Sequence, residues 1–246
     1  MTIDQENEKN IKPSSKYAII RWFGLDRFDP ELAVTSFWVS SKLFFFIRLI
    51  LAFYAAIVLW TDIGITHKGS FFAYFTSLTF IGLHAYQVTT IVHHFRYLYT
   101  KRDISFFNDQ PKILNYLYVV LYSTIVTFNI VTPVVYWSLL AKGNSQEATL
   151  NTWINVSVHG VSFFLMIFEV ILNRMKLPVR HVIFPLVIII SYMLMTFIIY
   201  ACNGFWVYPF LDWKQGSIAA LWYFLESLII GSMIHVYDDK LEEVIA

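Results

Sequence analysis

The stretch FFAYFTSLTFIGLHAYQVTTIV, residues 71–92, decides the fold of this chain. It is long and apolar enough to cross a lipid bilayer as an α-helix. Thr76, Ser77, Thr79 and His84 interrupt its middle. Polar groups within a membrane-spanning helix are costly unless they face the interior of a helix bundle or a wet cavity. The stretch therefore predicts a helix inside a membrane bundle, with a polar site on its protein-facing side.

The composition of the whole chain also indicates a membrane protein. Of its 246 residues, 57% are hydrophobic and 14% are charged, whereas a soluble domain carries about 25% charged residues. The formal net charge is +1 and no basic stripe is present, which argues against nucleic-acid binding. Cys202 is the sole cysteine, so an internal disulfide is excluded.

Six apolar segments follow a polar N-terminal segment, and each is near the roughly 20 residues that a bilayer requires. They cover residues 43–60, 71–92, 113–140, 150–172, 182–201 and 217–237. Pro133 predicts a kink near the end of the third. The connections are short, so consecutive helices should be antiparallel neighbours. We predict an all-α integral membrane bundle of six transmembrane helices over 43–240, between a cytosolic segment over 1–42 and a cytosolic tail over 241–246.

The distribution of Lys and Arg predicts the orientation of this bundle. The loops on one side hold only Lys68, Lys142 and Lys214, and Arg48 lies inside the first helix. All the other Lys and Arg residues of the 18 in the chain lie on the opposite side. Because cytoplasmic loops are enriched in these residues, both termini are predicted to be cytosolic. In the first polar segment, residues 17–28 mix aromatic and basic residues and are expected to lie on the membrane surface.

Polar residues of several helices share one predicted depth. Thr79, His159 and Glu226 lie at similar distances from the outer ends of the second, fourth and sixth segments. A rise of 1.5 Å per residue puts each roughly 12 to 14 Å below the outer surface. The third helix brings Asn129 and Thr132 near the same level. The bundle is therefore expected to contain a buried polar layer.

This layer contains the residue types of a nucleophile and a base. A threonine hydroxyl needs a base to take its proton as it attacks, and a buried neutral histidine suits that role. Thr79 and His159 are the candidate pair, with Thr76 as a rival nucleophile one turn earlier. Asn155 and Glu226 are the candidates for orienting His159. The alternatives are that Thr79 bonds to its own helix, that His159 bridges two helices, and that Glu226 is a protonated carboxyl within the bundle.

Other polar residues carry weaker signals. His93 and His94 are expected to be solvated at the cytosolic interface, and Arg48 and Glu169 to snorkel or to pair near cytosolic helix ends. The motifs HExxH, CxxC and GxSxG and a phosphate-binding loop are absent from the sequence. A metal site that includes His159 is conceivable, but we predict neither a metal nor a cofactor.

Three stretches resemble a known family of multi-pass membrane proteins. They are SLTFIGL at 77–83, INVSVHGVSFFLMIFE at 154–169 and GFWVYPFL at 204–211. In order and spacing they are similar to the androgen-induced and androgen-dependent TFPI-regulating protein family, especially its fungal branch, over about residues 40–240. The resemblance implies a threonine-dependent hydrolase of fatty acid esters of hydroxy fatty acids. Thr79 and His159 match the family's nucleophile and histidine, whereas Glu226 matches no family motif.

The third of these stretches also has a physical interpretation. Gly204 and Pro209 break helicity between aromatic residues, and the segment is predicted to lie at the outer mouth of the polar layer. Trp206, Tyr208 and Pro209 are therefore candidates for a gate to an acyl-chain cavity. An aromatic belt that anchors the end of the fifth helix is the alternative.

The sequence thus favours an intramembrane lipid esterase that takes its substrate from the bilayer of the endoplasmic reticulum or another endomembrane. A non-enzymatic membrane scaffold and a small-molecule transporter are the alternatives. A transporter usually shows inverted repeats or broken helices at matching positions, and the sequence shows no such correspondence.

Overall fold

A computed structural model describes residues 15–66, 70–140, 149–208 and 211–216, and every regular element in these ranges is helical. The short helices are α1 (Ala18–Phe23), α2 (Pro30–Val34) and α5 (Ser105–Asp109). The long ones are α3 (Ser41–Ile65), α4 (Phe75–Tyr99), α6 (Lys112–Val135), α7 (Thr149–Val156), α8 (Ser162–Leu172) and α9 (Ile183–Asn203). A π-helical turn, Tyr136–Leu140, extends α6, and a second, Ser157–Val161, joins α7 to α8. Single 3-10 turns lie at Leu25–Arg27, Phe71–Ala73, Val179–Val182 and Trp213–Gln215.

Four helical stretches are long and apolar enough to cross a membrane: Ser41–Ile65, Lys112–Ser138, Leu150–Leu172 and Val179–Asn203. They correspond to the first, third, fourth and fifth predicted segments. The sixth, at 217–237, and the tail at 241–246 lie outside the described residues. The described part of the chain is therefore an all-helical protein with four candidate membrane-spanning helices.

Helix α4 contains the stretch that we expected to organise the fold. It has 25 residues, but it is too polar to count among the four candidate spans. It packs against α3 and α6 and buries Phe80, Leu83 and Tyr86 in the core. A helix shielded by its neighbours meets little lipid, so it can carry polar residues at low cost.

The surface of the described bundle is apolar where lipid is expected. Large hydrophobic side chains point outward from α3, α8 and α9: Phe46, Ile50, Phe53, Ile57 and Trp60; Phe164, Phe168 and Ile171; Val187, Ile190, Leu194 and Ile198. A largely apolar exterior of this kind is unfavourable in water and favourable in a bilayer.

The segment before α3 folds onto the bundle. Phe23 stacks on Phe184 of α9 with ring centroids 4.5 Å apart, and the Arg174 N–H donates to the Leu32 carbonyl at 3.0 Å. The Val34 side chain packs with Tyr97 and two phenylalanines of α5. Residues 23–34 therefore close one end of the bundle.

A close approach between α4 and α6 yields a first prediction. A Cβ atom at Gly82 would lie 2.6 Å from Ile125 Cδ1, so alanine cannot fit without a shift of that side chain. Overpacking of this kind costs about 1–3 kcal/mol, against roughly 1 kcal/mol that alanine gains over glycine within a helix. We expect Gly82→Ala to lower the unfolding midpoint of the detergent-purified protein. Ile125→Val removes Cδ1 and should restore most of the loss in the double variant, and a double variant no more stable than Gly82→Ala would contradict this packing.

Candidate active site

His159 lies in the π-helical turn between α7 and α8, with 6% of its surface exposed. Its ring stacks face to face on Tyr136, with centroids 3.6 Å apart and planes inclined by 1°. Its Nδ1 is buried and has no hydrogen-bond partner among the residues that the structure describes. An unpartnered ring nitrogen inside a bundle is costly, and it is also free to accept a proton or a hydrogen bond from a ligand.

The two π turns of the described structure contact each other. Tyr136 and Trp137 belong to the turn that follows Pro133, and the Trp137 indole Nε1 donates to the His159 carbonyl at 2.9 Å. Proline disturbs the helical hydrogen bonds around it, which agrees with the predicted irregularity near the end of the third helix. Because π bulges are frequent at functional sites, the paired turns mark this region.

Thr79 lies on α4, which packs against the turn that carries His159. Its hydroxyl donates to the Thr76 carbonyl at 2.9 Å, and 7% of the residue is exposed. No hydrogen bond joins Thr79 to His159 in the structure. The hydroxyl therefore has the local helix bond that the sequence left open as an alternative, and it would have to rotate to reach a base.

A cavity of about 50 Å³ lies beside these residues, between α4, α6, α9 and the 204–211 segment. Its walls are mainly apolar, and its polar lining residues are Thr76, Thr132, Tyr136, Tyr192 and Tyr208. The Thr132 hydroxyl is buried, and no other described residue forms a hydrogen bond with it. Neither Thr79 nor His159 lines this cavity, but Tyr136 both lines it and stacks on His159.

Tyr208 closes one side of the cavity. Its hydroxyl accepts a hydrogen bond from the Phe75 N–H at 3.1 Å, and the Tyr192 hydroxyl donates to the Ala73 carbonyl at 2.7 Å. Burial raises the pKa of Tyr208 to about 12, so the phenol remains protonated at physiological pH. The bond from the Phe75 N–H attaches Tyr208 to the start of α4, close to Thr76.

Trp206 occupies a different position from Tyr208. It stacks on Tyr200 with centroids 4.2 Å apart and meets Trp213 edge to face at 4.7 Å. Its side chain does not line the cavity, and Pro209 lies outside the described residues. The 204–211 segment therefore contributes Tyr208 and Leu211 to the cavity wall and Trp206 to an aromatic cluster at the end of α9.

Of the two candidate orienting residues, Asn155 does not bond to Nδ1 of His159 among the described residues. Asn155 lies half-buried on α7, and Glu226 lies outside the described residues. Among the described residues, no group of three or more His, Cys, Asp or Glu side chains could hold a metal ion. Other interactions hold the described site together, namely the ring stack on Tyr136 and the indole bond from Trp137.

A buried ion pair lies apart from this cavity. Arg48 and Glu169 are only 3% and 8% exposed, and Arg48 Nε donates to Glu169 Oε2 at 3.0 Å. The Tyr86 hydroxyl and the Asn173 amide donate to the same carboxylate at 2.9 and 3.2 Å. The prediction that Arg48 and Glu169 pair is therefore confirmed, although the pair is buried rather than snorkelling towards water.

His94 extends this network, which the sequence did not indicate. Arg48 Nη1 donates to His94 Nδ1 at 3.0 Å, so the other ring nitrogen carries the proton. His94 Nε2 then donates to the Ser41 hydroxyl at 2.8 Å, and Ser41 donates to the Val34 carbonyl at 2.9 Å. His94 is 0% exposed, so the expectation of a solvated residue was wrong.

His94 is buried because the segment before α3 covers the end of α4. His93 is partly shielded as well, and it stacks on Phe107 with centroids 4.7 Å apart. A run of polar residues at a predicted helix end does not reveal whether another segment covers it.

Comparisons with known proteins agree with the resemblance seen in the sequence. The sequence profile of the FAR-17a/AIG1-like protein family matches residues 41–241. Protein rolling stone of Drosophila melanogaster is 25% identical over 101 residues, which cover 39% of this chain and 36% of that protein. The match thus spans about a third of the length of this relative. No solved structure matches the chain.

Proposed function

Because the chain belongs to the FAR-17a/AIG1-like family, we propose that it is an integral membrane enzyme that hydrolyses fatty acid esters. One observation carries the proposal: His159 is buried in a π turn, its Nδ1 has no hydrogen-bond partner in the described part of the chain, and an apolar cavity that contains hydroxyl groups lies beside it. A base without a partner next to an apolar cavity suits a reaction on a lipid ester. Esters of hydroxy fatty acids are the proposed substrate class.

In the proposed reaction, the Thr79 oxygen attacks the ester carbonyl carbon while His159 accepts the hydroxyl proton. The carbonyl carbon then loses the alcohol, which takes the proton from His159, and an acyl-enzyme remains. A water molecule attacks this acyl group with His159 again as base, which releases the fatty acid and restores Thr79. Catalytic hydrogen bonds are often absent before substrate binds, so the local bond of the Thr79 hydroxyl is compatible with this role.

Thr76 is the alternative nucleophile within the same proposal. It lines the cavity, whereas Thr79 does not. Substituting each threonine in turn therefore shows which of the two is the nucleophile. Incubating the purified protein with a fatty acid ester of a hydroxy fatty acid and measuring released fatty acid tests the activity itself.

A non-enzymatic membrane protein is the second candidate function. It is favoured by the Thr79 hydroxyl, which already donates to the Thr76 carbonyl within its own helix. In this case the polar residues serve packing alone, and neither released fatty acid nor covalent labelling should be detected. The hydrolysis assay therefore separates the two candidates directly.

We also propose that the chain crosses the membrane six times with both termini in the cytosol, in an endomembrane such as the endoplasmic reticulum. Lys42 and Lys214 are exposed in the structure and lie on opposite sides in this topology. In a Cys202→Ser background, Lys42→Cys should react with an impermeant maleimide from the cytosolic side of intact vesicles, and Lys214→Cys only after permeabilisation. Reaction of both from the same side would overturn the topology.

The 204–211 segment is the proposed gate, formed by Trp206, Tyr208 and Pro209. Tyr208 lines the cavity, so Tyr208→Ala should change the preference for acyl chain length. Each methylene group gained or lost from an apolar contact is worth about 0.8 kcal/mol, or roughly fourfold in kcat/KM. The measurement is kcat/KM for a series of esters that differ only in chain length.

Trp206→Ala distinguishes gating from anchoring within this segment. If Trp206 contributes to the gate, Trp206→Ala should lower kcat/KM more for long-chain esters than for short-chain ones. If the cluster with Tyr200 and Trp213 only anchors the end of α9, all chain lengths should lose activity equally. An unchanged chain-length profile in both Tyr208→Ala and Trp206→Ala would contradict the gate.

A further inference from the structure

A second cavity, of about 210 Å³, lies where the segment before α3 meets the loop between α8 and α9. Three cationic residues, Arg27, Lys176 and Arg180, contribute to its lining, with Asp29 as the single carboxylate. Three positive charges against one negative charge give the cavity a net positive charge. This cavity is separate from the proposed active site and shares no lining residue with it.

The three cations have no ionic partner among the residues that the structure describes. Within the same described ranges, Arg180 Nε is buried without a hydrogen-bond partner. The nearby Arg174 also has a buried Nε without a partner there, but its guanidinium lies 4.5 Å from the centre of the Phe37 ring and donates to the Thr35 hydroxyl at 3.3 Å. A buried guanidinium nitrogen without an acceptor is unfavourable, and a bound anion would satisfy it.

The walls of the cavity are held in place by specific contacts. Gly24 has φ +70°, and Arg180 Nη2 lies 3.0 Å from the position that a Cβ atom would take there. Glycine therefore allows both the left-handed turn and the close approach of the arginine. His181 Nε2 donates to the Phe23 carbonyl at 2.9 Å, and its Nδ1 lies 2.9 Å from the Ser123 hydroxyl. His181 thus joins the turn at Gly24 to the 3-10 turn before α9, and this 3-10 turn to α6.

The position of the cavity matches the boundary between lipid and water. It lies between the end of one candidate membrane-spanning helix and the start of the next. Beside it, α1 and the residue before it expose large side chains of the kind found at headgroup level: Tyr17, Ile19 and Trp22, at 56%, 66% and 52%. The Lys and Arg distribution assigns this side of the bundle to the cytosol.

We propose that this cavity binds the phosphate group of an anionic lipid from the cytosolic leaflet. Guanidinium groups bind phosphate oxygens in a bidentate manner, and basic pockets between membrane helices suit anionic headgroups. The apolar lining residues, among them Phe28, Leu32, Val119 and Met175, would contact the glycerol and the first methylene groups. The site goes beyond the proposed esterase, because it takes no part in the hydrolysis.

Ligand-dependent thermal stability of the full-length protein tests this site. A ligand that binds only the folded state raises the unfolding midpoint as its concentration increases. In neutral detergent, phosphatidic acid should raise the midpoint, and phosphatidylcholine should not. Each basic residue near a membrane surface contributes about 1 kcal/mol, so Arg27→Gln/Lys176→Gln should weaken the apparent affinity by roughly 25-fold.

Controls separate this site from general attraction of charge. Arg27 and Lys176 are exposed, so their substitution should leave the fold intact. Lys42→Gln/Lys101→Gln removes two exposed cations outside the cavity and should leave the affinity unchanged. Equal affinity in the two double variants would overturn the cavity as the site. Equal stabilisation by inorganic phosphate would overturn the lipid as its source, and stabilisation by oleate alone would overturn phosphate as the bound group.

Discussion

Replacing Thr79 by alanine should abolish ester hydrolysis and covalent labelling by a fluorophosphonate probe. A nucleophile has no substitute when its oxygen is removed, so kcat should fall by a factor on the order of 10⁴ or more. The structural cost should be small, since Thr79→Ala loses the local bond to the Thr76 carbonyl and one buried methyl group. Labelling of matched amounts of folded protein, followed by gel fluorescence, provides the measurement.

Substitutions at His159 test the second half of the pair. His159→Ala removes the base but also the ring that stacks on Tyr136 at 3.6 Å. His159→Phe keeps an aromatic ring in that place while removing both nitrogens, so it should fold normally and still be inactive. Because the two residues act as one unit, the variant that combines Thr79→Ala with His159→Phe should be no less active than either single variant.

Two further variants identify the nucleophile. Thr79→Ser retains a hydroxyl and should keep part of the activity. Thr76→Ala should keep the covalent labelling if Thr79 is the residue that attacks the probe. Undiminished labelling of Thr79→Ala together with loss in Thr76→Ala would transfer the role to Thr76, which lines the cavity. Activity retained in His159→Phe would exclude His159 as the base.

Apolar segment length predicted most of the long helices, but not their ends. The first segment, predicted at 43–60, forms a helix over Ser41–Ile65, because Thr61 and Asp62 remain helical although they are polar. The second, predicted at 71–92, begins after a 3-10 turn and continues through two histidines to Tyr99. A window of hydrophobicity measures suitability for lipid, whereas the helix continues until its backbone or its packing stops it.

The candidate active site shows a different limit of prediction from sequence. Depth along each helix placed Thr79 and His159 in one layer, and their elements do pack together. Depth does not give rotation about the helix axis, however, and the π turn at 157–161 changes that rotation locally. The stack of Tyr136 on His159 joins two π turns, and no periodic pattern in the sequence indicated either of them.

Breaking the buried ion pair should cause the largest loss of stability in this protein. Glu169→Ala leaves the Arg48 guanidinium buried without its carboxylate, and Tyr86 and Asn173 lose their acceptor. Removing one member of a buried pair typically costs about 3–5 kcal/mol. We expect a strongly reduced yield of monodisperse protein and a lower unfolding midpoint in detergent. Lys42→Met, which removes an exposed cation at the start of the same helix as Arg48, should have almost no effect.

The double variant Arg48→Met/Glu169→Leu shows whether the pair stabilises the fold or is merely costly to break. Both buried charges are then replaced by apolar groups of similar size, which is often nearly neutral. His94 Nδ1 and the Ala33 carbonyl still lose the donors that Arg48 supplied, so recovery should be partial. A double variant more stable than Glu169→Leu alone would show that the single loss comes mainly from the unpaired charge. A double variant as unstable as the sum of Arg48→Met and Glu169→Leu would contradict this explanation, because the two residues would then act independently.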